Sequence, residues 1–104
     1  MPKATRYPQF DIAEHLDNPK LVAGFISDAF DTGDSTYIAG ALGIAARAKG
    51  MTKVADDAGL SREQLYRSLS DKGNPKLKTV IATLKALGLQ LHATPTSASS
   101  KRLS

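Results

Sequence analysis

Cysteine and tryptophan are absent from this sequence, and among its 104 residues only six are aromatic, three Tyr and three Phe. Without cysteine there is no disulfide framework, and one modest hydrophobic core is all that a chain of this length can build. No run approaches the roughly 18 to 20 uninterrupted apolar residues of a membrane helix. The opening MPKATRYPQF has no apolar segment behind its charges, so a secretory leader is not expected, and the chain is expected to stay in the cytoplasm. At 41% hydrophobic and 23% charged, the composition is that of an ordinary folded domain.

What is present is a skewed charge. The net +4 divides unevenly, because residues 1–38 carry three basic and six acidic side chains whereas residues 39–104 carry eleven basic and four acidic. Nine of those eleven basic residues lie between Arg47 and Lys85. Such an asymmetry fits two faces with different partners, an acidic one toward protein and a basic one toward a polyanion; it also fits an unevenly charged solvated surface.

Turn and cap residues divide the chain. Asn18-Pro19 reads as a helix start, since Asn caps free amides and proline suits the first helical position. Leu21, Val22, Phe25, Ile26, Ala29 and Phe30 then form one apolar stripe ending near Gly33. Asp34 caps a second helix with Tyr37, Ile38, Ala41, Leu42, Ala45 and Ala46 inward, closed by Gly50. Thr52 is the expected cap of a short helix Lys53 to Ala58, Gly59 breaks it, and Ser61 with Gln64 forms a capping-box signature for another running to about Leu69. After the polar DKGNPK, a helix starting at Asn74 or Lys76 carries Leu77, Val80, Ile81, Leu84 and Leu87 on one face and ends at Gly88.

Beyond Gly88 the alternation of Leu89, Leu91 and Ala93 with Gln90 and His92 predicts one short strand, which needs an edge from another chain to pair its backbone. The expected organisation is a flexible N-terminus over 1–9, a single domain over 10–93 and a disordered tail over 94–104. The domain divides into a helical extension 10–33, a core 34–88 and the strand 89–93. Phe10, Ile12, Ala13 and Leu16 suggest a helical turn or two within that extension.

The informative segment is MTKVADDAGLSREQLYRSLS, residues 51–70. Two short helices cross steeply only with a small residue at the crossing, here Ala55, and a turn residue that tolerates positive φ, here Gly59. Val54, Ala58, Leu60, Leu65 and Leu69 are then the inward positions, and the polar residues of the second helix face out.

With Ala55, Gly59 and Leu60 at the fifth, ninth and tenth positions, the segment resembles the helix-turn-helix of the phage-repressor and Cro class. The resemblance covers about residues 34 to 92. A closer likeness spans nearly the whole chain. FDIAEHLDNP, FISDAFDTGD and IAGALGIAARAKGMTKVADDAGLSREQLYRSLSDKGNPKLKTVIATLKALGLQL resemble the probable addiction-module antidote family, the HigA-like antitoxins of bacterial toxin–antitoxin pairs. The fold implied is all-α, a lambda-repressor-like helix-turn-helix bundle of about five helices with a short C-terminal strand. The function implied is a homodimeric repressor that binds its own operator in double-stranded DNA and neutralises a small RelE/HigB-like ribonuclease toxin in a bacterial cytoplasm.

In a helix-turn-helix the second helix enters the major groove and its early residues reach base edges. Here those are Ser61, Arg62, Glu63, Tyr66 and Arg67. Arg62 is the candidate for a bidentate contact with guanine, whose N7 and O6 match a planar guanidinium. Arg67 reads a base or grips a phosphate, and Ser61 caps the helix near the backbone. Glu63 either accepts from a cytosine amino group or pairs with Arg62 or Arg67, the pairing being favoured. Tyr66 touches a thymine methyl or a phosphate. Thr52, Lys53, Lys72, Asn74, Lys76, Lys78 and Thr79 flank this helix as phosphate clamps, which add affinity without reading sequence; a solvated side chain is the alternative for each lysine.

Other chemistry is thin. His15 and His92 stand alone, without the spacing of a metal site, and no motif calls for a cofactor. Adjacent Asp56 and Asp57 point about 100° apart on a helix, which unsuits them to paired acid–base work. Gly40 and Gly43 have no phosphate-loop context and fit close helix packing instead. No enzyme is expected. The alternatives are a stand-alone transcriptional regulator and a protein-interaction adaptor that has lost DNA binding.

Overall fold

The computed structural model describes residues 11–96. The expected flexible segment 1–9, Phe10 and most of the expected tail lie outside the described residues. The regular structure among them is all helical. A 3₁₀ turn, Ile12–His15, precedes five α-helices: α1 (Pro19–Asp31), α2 (Ser35–Lys49), α3 (Met51–Ala58), α4 (Arg62–Ser68) and α5 (Leu77–Ala86).

The starts of α1, α2 and α4 follow from side-chain caps within a few residues. The Asn18 carboxamide oxygen accepts from the amides of Lys20 and Leu21, with Pro19 in the first helical position. The Asp34 carboxylate accepts from Thr36 and Tyr37. At α4 both halves of the capping box are made: the Ser61 hydroxyl accepts from the Gln64 amide at 3.0 Å, and the Ser61 amide donates to the Gln64 side chain at 2.9 Å.

Helix α2 runs through the centre, touching the 3₁₀ turn, α1, α3 and α5. Its Ala39, Ala41, Leu42, Ala45 and Ala46 are fully buried, so neighbours pack on more than one of its sides. Small side chains make that approach feasible. A Cβ added at Gly43 would fall inside the Leu69 carbonyl at the end of α4, and this is the close packing expected of that glycine. Val22, Phe25, Ile26 and Ala29 of α1, Val54 and Ala55 of α3, Leu65 and Leu69, and Leu84 and Leu87 complete one core. Each fully buried leucine or valine contributes roughly 1.5–3 kcal/mol relative to exposure.

Three expectations are corrected. The cap of α3 is not Thr52, because the helix already begins at Met51; Gly50, with φ 128°, ends α2 and opens α3 without any side-chain cap bond. Helix α5 buries only part of the expected face: Leu84 and Leu87 turn inward as expected, but Leu77 and Ile81 do not. Leu77 is 65% and Ile81 41% exposed, while Thr79 and Thr83 are buried. Thr83 is tolerated inside because its hydroxyl donates to the Thr79 carbonyl at 2.8 Å, and the slim Ala82 and Thr83 let α5 lie close to α3, its main packing partner. No strand forms over 89–93: among the described residues there is no strand for it to pair with, and an extended segment becomes a strand only through a paired ladder.

Candidate nucleic-acid interface

Helices α3 and α4 meet at a tight turn. Gly59 adopts φ 72°, ψ 32°, a left-handed conformation that costs glycine nothing sterically, and the Leu60 amide returns to the Ala55 carbonyl at 2.9 Å. Ala55, at the crossing, is 2% exposed. Leu65 and Leu69 tie α4 to the core with no measurable or almost no exposure. Arg62, Glu63, Gln64, Tyr66 and Arg67 all lie on the exposed side. A seven-residue helix held by two leucines thus presents its polar side chains to solvent on a rigid base.

The flanking candidates fall into two clefts, one against α4 and one between α3 and α5. Arg67, Lys72, Asn74 and Lys76 line one of about 480 Å³, together with Gln64 and Gly73. The loop that brings them there is pinned to the end of α4. The Ser70 hydroxyl donates to the Arg67 carbonyl at 3.0 Å, the Lys72 amide donates to Ser70 at 3.3 Å, and a Cβ at Gly73 would overlap the Arg67 and Ser68 carbonyls. Thr79 also lines this cleft but is only 5% exposed, so it offers little to a phosphate. Lys53 and Lys78 line the other cleft with Lys85 and the exposed Leu77 and Ile81. Thr52 is exposed in the first turn of α3 and lines neither.

Charge at the site is largely uncompensated. Among the described residues, Lys53 pairs with Asp57 at 3.5 Å, one helical turn apart. Exposed on both sides, that pair contributes little. Glu63 forms no ion pair with Arg62 or Arg67, against the favoured expectation. Neighbouring helical residues diverge by about 100°, Arg67 turns to the loop cleft, and Arg62 lies over the Tyr66 ring, 5.9 Å from its centroid. A residue that pattern reading passed over joins them: Arg47 of α2, whose Cζ is 5.7 Å from the same ring. Its signal was only a basic residue in the last turn of a helix, a common position for favourable dipole contact.

All six acidic residues of the N-terminal part, excluding none, are exposed from Asp11 to Asp34. They are carried by the 3₁₀ turn, its flanks, α1 and the N-cap of α2. No cluster of three or more metal-ligating side chains occurs among the described residues. His15 is half-buried and His92 exposed. No described helix is long and apolar enough to cross a membrane.

These features define a small helical bundle with a rigid, exposed, cation-rich short helix at one side and an acidic helical extension. A family model described as probable addiction module antidote protein matches residues 6–95. The chain belongs to that family. It is also similar to an uncharacterized protein of Haemophilus influenzae, with 43% identity over 83 residues that cover 80% of this chain and 86% of that protein. No solved structure matches the chain significantly.

Proposed function

We propose that this chain is the antitoxin of a bacterial toxin–antitoxin pair and a repressor of its own operator, acting in the cytoplasm as a homodimer. Membership of the antidote family carries the antitoxin part. The DNA part rests on one arrangement: α4 is anchored by Leu65 and Leu69 while Arg62, Glu63, Tyr66 and Arg67 stand outward, with one lysine-lined cleft against α4 and a second between α3 and α5. Read as a helix-turn-helix, α3 and α4 deliver α4 to the major groove. Arg62 and Arg67 reach base edges, and Lys53, Lys72, Asn74, Lys76 and Lys78 hold phosphates on either side. Thr52 and Ser61 stand at the helix starts nearest the backbone.

One chain presents one recognition helix, and two copies related by a two-fold axis meet half-sites about 34 Å apart. The segment 89–93 becomes a strand on pairing with an edge from a second copy or from the toxin. The toxin is a small basic ribonuclease of the RelE/HigB kind, for which the exposed carboxylates of the N-terminal part offer a complementary surface. The chain itself catalyses nothing and needs no cofactor in this reading.

Co-expression with the adjacent reading frame tests both halves. The neighbour's product alone arrests growth, co-expression of this chain restores it, and the two purify together. Arg62→Ala still restores growth but no longer represses a reporter fused to the upstream region. A harmless neighbour that does not co-purify refutes the antitoxin. Repression unaltered by Arg62→Ala refutes the assigned recognition helix.

A further inference from the structure

Two arginines from different helices converge on one tyrosine ring. Arg62 and Tyr66 lie one turn apart on α4 and therefore share a face, with the Arg62 Cζ 5.9 Å from the ring centroid. Arg47 comes from the last turn of α2 and sets its Cζ 5.7 Å from the same centroid. On its other side an Arg47 guanidinium nitrogen lies 3.5 Å from where a Gly43 Cβ would stand. Its side chain therefore runs back along α2 toward the seam where Gly43 meets the Leu69 carbonyl. Neither arginine forms an ion pair among the described residues, so nothing else orients these guanidiniums by charge.

We infer that Arg47 is a specificity-determining positioning residue: it holds the Tyr66 ring in the place on which Arg62 rests when Arg62 reads its base. This rests on the DNA-binding reading of α4. The physical reason is preorganisation. A free arginine loses rotamer freedom when it docks a guanine edge, and one already lying on an aromatic face loses less. The ring can serve as that rest only if it is itself fixed. Tyr66 is 39% exposed, so the protein interior does not fix it, and Arg47 does so from the side of α2. Without Arg47 the ring is free to leave its place, and Arg62 loses its support although no residue of the reading helix has changed. Exposed cation–π contacts correspond to factors of about two to five in an equilibrium.

The test measures binding of the full chain to two duplexes. One carries its operator, and the other is altered at the base pair where Arg62→Ala loses its preference. Arg47→Ala lowers the affinity ratio of the two duplexes by about twofold to fivefold. Tyr66→Ala does the same, and the double variant is no worse than Tyr66→Ala, since both act through one ring. Tyr66→Phe, which keeps the ring and removes the hydroxyl, retains the wild-type ratio. If Arg47→Ala instead weakens both duplexes equally, flattens the salt dependence by about one ion and adds fully to Tyr66→Ala, Arg47 is a phosphate clamp and the inference fails. If Tyr66→Phe behaves as Tyr66→Ala, the hydroxyl rather than the ring matters and the inference fails too. A wild-type protein that binds no duplex refutes the reading beneath it, a result distinct from either. Thermal melting of each variant near the wild-type value certifies that the fold is kept.

Discussion

Gly43→Ala sets two effects of opposite sign against each other, and the structure decides between them. Within a helix, alanine is favoured over glycine by about 1 kcal/mol. At Gly43 the new methyl would fall inside the Leu69 carbonyl. The obstacle is backbone, at a residue 1% exposed, so relief requires the end of α4 to move away from α2. Overpacking of that kind costs typically 1–3 kcal/mol, and the absence of a flexible neighbour argues for the upper part of that range. The net expectation is a loss of about 1–2 kcal/mol. For a domain of this size each kcal/mol moves the melting temperature by roughly 4–8 °C, so Tm falls by about 5–15 °C. Gly24 of α1 is the internal control, because a Cβ there meets nothing within 4 Å. Gly24→Ala retains only the propensity gain and raises Tm by up to about 8 °C. Thermal unfolding followed by far-UV circular dichroism reads both. A Gly43→Ala protein that melts at or above the wild type refutes the packing argument.

Other outcomes follow from the same geometry. Ser61→Ala removes the hydroxyl that accepts from the Gln64 amide and lowers stability by about 1 kcal/mol in denaturant titration, whereas Ser61→Asp largely restores it. Lys76→Ala weakens binding to all duplexes alike and reduces the slope of log affinity against log salt by about 1, while leaving base preference unchanged. Leu65→Ala, at a residue with no exposure, costs about 2–5 kcal/mol in unfolding and abolishes operator binding along with the anchoring of α4.

Features carried by residues within a few positions of one another were legible in the sequence. Asn18-Pro19, Asp34 and the Ser61–Gln64 pair each form bonds inside a single turn, so their spacing alone announces the helix starts. The turn at Gly59 was legible for the same reason. Thr52 misleads because a threonine at the second position of a helix looks like a cap in sequence, while Gly50 ends one helix and opens the next through its backbone conformation. The exposure of Leu77 and Ile81 is hidden in the sequence, since Leu77, Ile81 and the buried Thr79 and Thr83 all recur at helical spacing, and only the packing of α5 on its neighbours tells which of them turn inward. Arg47 meets Tyr66 across two intervening turns and α3, and no local pattern announces such a contact. The segment 89–93 alternates like a strand, but a strand is a property of a pair, and the second member is not in the described residues.

The central claim is that α4 reads operator DNA with Arg62 as a base-contacting residue. Its most direct measurement is a scan of the upstream duplex, each base pair substituted in turn, with affinities of the wild-type and Arg62→Ala proteins at several salt concentrations. The account predicts that wild type discriminates by about 1–3 kcal/mol at a guanine in each half-site, and that Arg62→Ala loses the preference at that base pair alone while keeping the wild-type salt slope within about 1. An Arg62→Ala protein that keeps every preference, or a wild type that binds all sequences equally, contradicts it.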